Sequence, residues 1–194
     1  MRPQQLRFAT VVFASLSFIP TTQAQWLTDW FDYGGHRYRL TETMPWPEAE
    51  SLAVTIGGHL VTINDDAENQ WLADTLLPLA PEGYYGRTFW IGLYQLPGSD
   101  EPADGWVWIS GEPVTYLNWN PNEPSDGYGG EWVAHMWDDY PPNNQFRGKW
   151  NDLADDSWLG TPISGLVEIP IPEPTTALLL SLATCAALCR REHR

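Results

Sequence analysis

Cysteine is nearly absent. The only two, Cys185 and Cys189, lie close to the C-terminus. The rest of the chain therefore has no disulfide framework, no thiol nucleophile and no thiolate zinc site. Basic residues are also scarce, with ten Lys and Arg against 25 Asp and Glu and a formal net charge of −15. Half of the ten sit at the ends (Arg2, Arg7, Arg190, Arg191, Arg194), leaving Arg37, Arg39, Arg87, Arg147 and Lys149 between them. Such a surface repels nucleic acid and anionic lipid and attracts divalent cations. His36, His59 and His135 are scattered, without the spacing of a metal motif, and no Ser/His/Asp arrangement stands out. An enzyme is not expected. Acidic residues are numerous enough for a glycosidase pair, but nothing places one.

No apolar run reaches the roughly 20 residues of a stable membrane span. Two shorter ones flank the chain. At the N-terminus, Arg2 and Arg7 precede the apolar stretch from Phe8 to Ile19. Pro20 breaks that stretch, and Thr22 and Ala24 suit cleavage before Gln25. Residues 1–24 thus read as an export signal. At the C-terminus, Pro172-Glu173-Pro174 precedes the apolar run from Ala177 to Leu188 and the arginines 190, 191 and 194. Basic residues there would be held on the cytoplasmic side. By physics alone this is a weak, transient inner-membrane anchor or a sorting tag.

Between the ends lies about one domain's length, residues 25–170. It holds all 12 Trp of the chain, enough aromatic bulk to fill a core without disulfides. Gly35–Leu40 reads as a strand. A helix opens at Pro45-Trp46-Pro47, with Pro tolerated in its first turn. Trp46, Ala49, Leu52, Ala53 and Ile56 recur at helical spacing, and Gly57-Gly58 ends it. Asp65 with Glu68 resembles a capping box for a second helix, with Ala67, Trp71, Leu72 and Leu76 on its apolar face and an end near Leu77. Short strands are expected at 88–93, 105–110, 131–136, 148–150 and 165–169. The order is α+β. A loop rich in Pro, Gly, Asp and Asn spans 118–130, and loops of that length are usually functional or disordered.

That loop contains "NEPSDGYGGEW", Asn122 to Trp132, which gathers Glu123, Asp126 and Glu131. Gly127, Gly129 and Gly130 suit a solvated acidic turn, and the carboxylates suit a bound cation.

The stretches "WPEAESLAVTIGGHLVTI", "WIGL", "NEPSDGYGGEW" and "KWND", in that order, resemble the C-type lectin-like domain over roughly 35–169. The resemblance implies two helices and short antiparallel sheets, with a long loop region of the calcium-binding type. Trp90, Trp150 and His59 would be structural. In calcium-binding members a Glu-Pro-Asn or Gln-Pro-Asp tripeptide, a later Glu and an Asn-Asp pair hold the ion. The matching positions here are Glu123, Ser125, Glu131, Asn151 and Asp152, and an oxygen-rich set of this kind suits calcium. A cis Glu123–Pro124 bond is also implied. Ser125 departs from the pattern, being shorter, neutral and without an amide. Asp126 could replace the lost ligand or serve a second calcium. The implied partner is a glycan whose hydroxyls contact Glu123, Glu131 and Asn151, with Trp132, Trp137, Tyr128 or Tyr140 stacking on a sugar face. Ser125 and the enlarged loop 137–146 keep open a second reading, a protein-interaction domain in which calcium is structural or absent.

The family's cysteines are missing. Ala53, Val167, Val133 and Asp155 stand in their places. The end of the chain, 171–194, resembles the PEP-CTERM sorting signal of Gram-negative bacteria. It implies an exosortase-type processing protease and release to the cell surface or an extracellular polysaccharide matrix.

Overall fold

The computed structural model describes residues 25–83, 86–100, 102–127, 129–138, 146–155 and 163–172. The leader expected at 1–24, the apolar tail, Tyr128 and Tyr140 lie outside them. The chain runs β1 (Phe31–Tyr33), β2 (His36–Thr43), α1 (Trp46–Thr55), β3 (His59–Leu60), α2 (Asp66–Thr75), β4 (Glu82–Gly83), β5 (Gly86–Gln95), β6 (Trp106–Trp108), β7 (Val133–Trp137), β8 (Lys149–Leu153) and β9 (Ser164–Pro170). The strands are ordered β1-β2-β9-β5-β7-β8, with β3 on β9 and with β4 and β6 on β5. The pairings between these strands are antiparallel except β5 with β9, where Phe89 faces Ser164 and Trp90 faces Gly165. The architecture is α+β, but its strands join in one paired network rather than in separate short sheets. The last strand returns to the centre and stitches the early half of the chain to the late half.

Both helices form where expected, but their buried faces differ in part. Helix α1 buries Trp46, Ala49 and Ala53 and leaves Ile56 exposed. It lies close on β9, since a Cβ added to Gly165 would stand 2.5 Å from the Ala49 Cβ. Trp46 Nε1 donates to the Ile91 carbonyl, locking the helix across β5. Helix α2 is capped by Asp65, whose carboxylate accepts from Glu68 N at 2.8 Å. The reciprocal bond of a capping box falls one residue earlier, from Asn64 N to Glu68 Oε2. Ala67 is exposed, while Glu68 and Asn69 are buried. Two polar residues go inward because both find partners. Glu68 accepts from the Tyr38 hydroxyl at 2.6 Å, and Asn69 accepts from Trp150 Nε1 at 2.8 Å while donating to the Gly148 carbonyl.

Trp90 and Trp150 are fully buried. Trp108, Tyr116 and Trp119 meet the Trp150 ring edge-on. Ala53, Val133 and Val167, three of the four positions where the resemblance places cysteine, share one apolar cluster with Trp46, Ala49, Leu60 and Trp90. Packing occupies the space that a sulfur bridge would have filled. His59 holds the Glu50 carboxylate at 2.7 Å, which also accepts from Leu60 N, a structural role at the α1–β3 junction.

A rim built by β7, β8 and the long loop

The sequence places the Asn-Asp pair at the end of a short strand or in a turn. The strand in fact continues through it. In β8, Asn151 lies opposite His135 and Asp152 opposite Ala134 of β7. The other edge of β8 is taken by the start of the long loop, where Trp150 N donates to the Asn118 carbonyl and Asn120 N to the Trp150 carbonyl. Asn69 of α2 anchors the neighbouring Trp150. The two residues are thus fixed by strand pairing on one side and a strapped loop on the other.

The loop then turns over the strand. The Glu123–Pro124 bond is cis, and Asn122 and Asp126 have φ of 73° and 47°. Ser125 N and Asp126 N donate to the Asp152 carboxylate at 2.8–3.0 Å. Gly127 N donates to Glu131 Oε2 at 2.6 Å. Gly130 N and Glu131 N both donate to Asp126 Oδ1, at 2.6 and 3.0 Å. Five backbone N–H groups therefore serve three carboxylates. The loop's negative charges repel one another but hold its backbone. Asp152 is fully buried and Glu131 nearly so.

Glu123 is the least satisfied member. Its Oε2 is buried without a hydrogen-bond partner. Burial pushes its carboxyl above the usual range, and the neighbouring Asp152 and Glu131 carboxylates add to this, while a hydrogen bond from the Ser125 side chain opposes it. Glu123, Ser125, Glu131 and Asp152 thus sit within electrostatic reach of one another, with Asn151 adjacent in β8. Among the described residues, no three His, Cys, Asp or Glu side chains are already gathered as a metal cage. The reason is visible in the bonding, because Asp152 and Glu131 are turned onto backbone amides. The donor chemistry nevertheless fits a hard divalent cation. It is all oxygen, rich in carboxylate, and leaves a buried carboxylate oxygen unpaired. Asp126 accepts two amide bonds across the turn, so its carboxylate organises the loop. Trp132, next to Glu131, is 41% exposed. Trp137 is partly buried at the far end of β7.

Sequence reasoning set His135 aside as one of three scattered histidines and gave Thr88 no role beyond its strand. His135 is buried on β7, with Nδ1 2.6 Å from Thr88 Oγ1 and Nε2 3.2 Å from Asn151 Nδ2. Burial lowers its pKa to about 3, so the ring is neutral. Only the register of β7 on β8 reveals the contact, and no local signal in the sequence carries it.

Residues 42–159 match the family described as the lectin C-type domain. Ladderlectin of Oncorhynchus mykiss is 31% identical over 153 residues, which cover 76% of this chain and 72% of that protein. The human secretory phospholipase A2 receptor is 33% identical over 96 residues, covering 50% of this chain but 6% of the receptor. Among solved structures, the carbohydrate-recognition domain of cow CD23, determined in the presence of a GlcNAc2Man3 oligosaccharide, superposes with a TM-score of 0.57. It is 26% identical, and the match covers 74% of this chain and 95% of that one.

Proposed function

Because this chain belongs to the C-type lectin domain family and has the C-type lectin-like fold, we propose that it is a secreted, calcium-dependent carbohydrate-binding module. The observation that carries this is the rim itself. Glu123, Ser125, Glu131 and Asp152 lie within reach of one another there, Asn151 neighbours Asp152 in β8, and the buried Glu123 oxygen lacks a partner. When bound, calcium supplies open coordination positions for two neighbouring sugar hydroxyls. The chain's residues do the rest. Glu123 and Glu131 accept the hydroxyl protons, the β7–β8 pairing keeps Asn151 and Asp152 in place, and the exposed Trp132 offers a ring face for stacking. The role is binding, not catalysis.

The destination we propose is the cell surface or an extracellular polysaccharide matrix. The export leader, the Pro-Glu-Pro tail and the acidic surface support that route, with an exosortase-type protease removing the transient anchor. Among the described residues no helix is long and apolar enough to cross a membrane. The test is a glycan array probed with residues 25–170, with and without a chelator. Chelator-sensitive binding to a neutral glycan is expected, and silence toward every glycan overturns the reading. A second reading, a protein-interaction domain with structural calcium or none, is favoured by the five backbone amides already on the carboxylates. It prevails if calcium raises the thermal midpoint while no sugar binds.

A further inference from the structure

We propose that His135 is a positioning residue which turns the Asn151 oxygen toward the cation and withdraws the Asn151 amide from any ligand. This rests on the calcium reading above. Hydrogen-bonding chemistry fixes the directions. The Asp152 carbonyl can only accept, so the Asn151 atom 2.5 Å from it is Nδ2 and not Oδ1. The same Nδ2 lies 3.2 Å from His135 Nε2, which must therefore accept and carry no proton. The neutral ring then has its proton on Nδ1, 2.6 Å from Thr88 Oγ1. Thr88 accepts that proton and sends its own hydroxyl hydrogen to the Met136 carbonyl, 2.9 Å away. The other tautomer fails at both ends. It would set two N–H groups against each other at Asn151, and His135 Nδ1 and the Met136 carbonyl would compete for one hydroxyl hydrogen. Trp90 and Trp137 pack edge-on against the ring, each 6.0 Å away between centroids, and leave it little room to turn.

The consequence concerns what the site can recognise. Both Asn151 amide hydrogens are spent inside the protein, so Oδ1 alone remains to face outward. Ser125 has no amide to offer. The named rim residues are left with carboxylate acceptors and no free side-chain N–H donor. Such a rim takes neutral ligands with vicinal hydroxyls, each giving its lone pair to the cation and its proton to Glu123 or Glu131. It disfavours carboxylated or sulfated sugars, which bring acceptors and negative charge to a carboxylate-lined site.

The test uses the full chain. In the calcium-free protein, long-range proton–nitrogen NMR reads which ring nitrogen of His135 is protonated. Nδ1 is expected, and a proton on Nε2 overturns the proposal. Calcium calorimetry then compares wild type with His135→Phe, which keeps an aromatic ring in place, and Thr88→Val, which keeps the shape but frees the tautomer. The affinity is expected to fall about tenfold or more in His135→Phe and several-fold in Thr88→Val, since removing a ligand's supporting bond costs roughly 10–100-fold. Unchanged affinity in both variants means His135 is only packing. If His135→Phe does not fold, Thr88→Val and the tautomer decide. If wild type takes up no calcium, the reading of the loop falls, and the NMR result still judges the orientation of Asn151.

Discussion

Ser125 stands where the resemblance expects a longer side chain, and its N–H donates to the Asp152 carboxylate. Its side chain favours the charged form of Glu123, so the residue stands between two carboxylates that repel each other. In the proposed calcium site, a carboxylate at this position would add a charged ligand. Ser125→Asp is therefore expected to tighten calcium binding by on the order of tenfold in calorimetry, because ligand charge count tunes calcium affinity. Weaker binding would mean that repulsion with Glu123 dominates. Asp126 gives a second test. Both contacts of its Oδ1 lie inside the turn, and we propose that it serves as a staple rather than as a ligand of a second ion. The titration should show one calcium per chain, and Asp126→Ala should weaken binding without changing that stoichiometry. A loss of one ion out of two would place Asp126 in a second site.

Single elements carry the fold without sulfur. Val133 lies in the cluster formed by α1, β5 and β9, fully buried where the resemblance expects cysteine. Truncating it should leave a cavity, and Val133→Ala is expected to cost about 2 kcal/mol in chemical denaturation. A cost near zero would mean that the cluster is slack. The elements also show what the sequence could disclose. Helices α1 and α2 were legible because their signals are local, namely proline in the first turn, Asp65 at the cap and Gly57 past the end. The loop carboxylates were legible from spacing and family resemblance. The inward turn of Glu68 and Asn69 was not, because their partners Tyr38 and Trp150 are remote in sequence. The extension of β8 through Asp152, and the pairing of His135 with Asn151, depend on register between distant strands, which no single window contains.

At the scale of the whole molecule, charge sets the response to solution conditions. On the side of the sheet where β2, β3 and β9 meet, His36, Tyr38 and the Glu68 and Glu112 carboxylates surround Glu168. Burial pushes Glu168 up to about 8, Glu68 and Glu112 add to the rise, and the hydrogen bond from Thr62 N opposes it. Its folded-state value is thus above its unfolded one. The folded protein keeps a proton that the unfolded chain loses near the ordinary carboxyl value. The stability linked to Glu168 is fully present below that value and is lost as pH rises to about 8. Denaturation midpoints of the calcium-free protein should fall between about pH 5 and about pH 8, and Glu168→Gln should flatten the slope. An equal slope in the variant would move the effect to other groups. Calcium that binds only the folded form should raise the midpoint with the logarithm of its concentration above Kd.

The claim on which the rest depends is that the rim of β7, β8 and the long loop holds calcium through Asn151 and Glu131. The most direct measurement is a calorimetric calcium titration of residues 25–170, comparing wild type with Asn151→Ala and Glu131→Gln. One ion bound by wild type, with at least tenfold weaker binding in each variant, is the predicted result. No uptake by wild type, or the same affinity in all three proteins, would contradict the account.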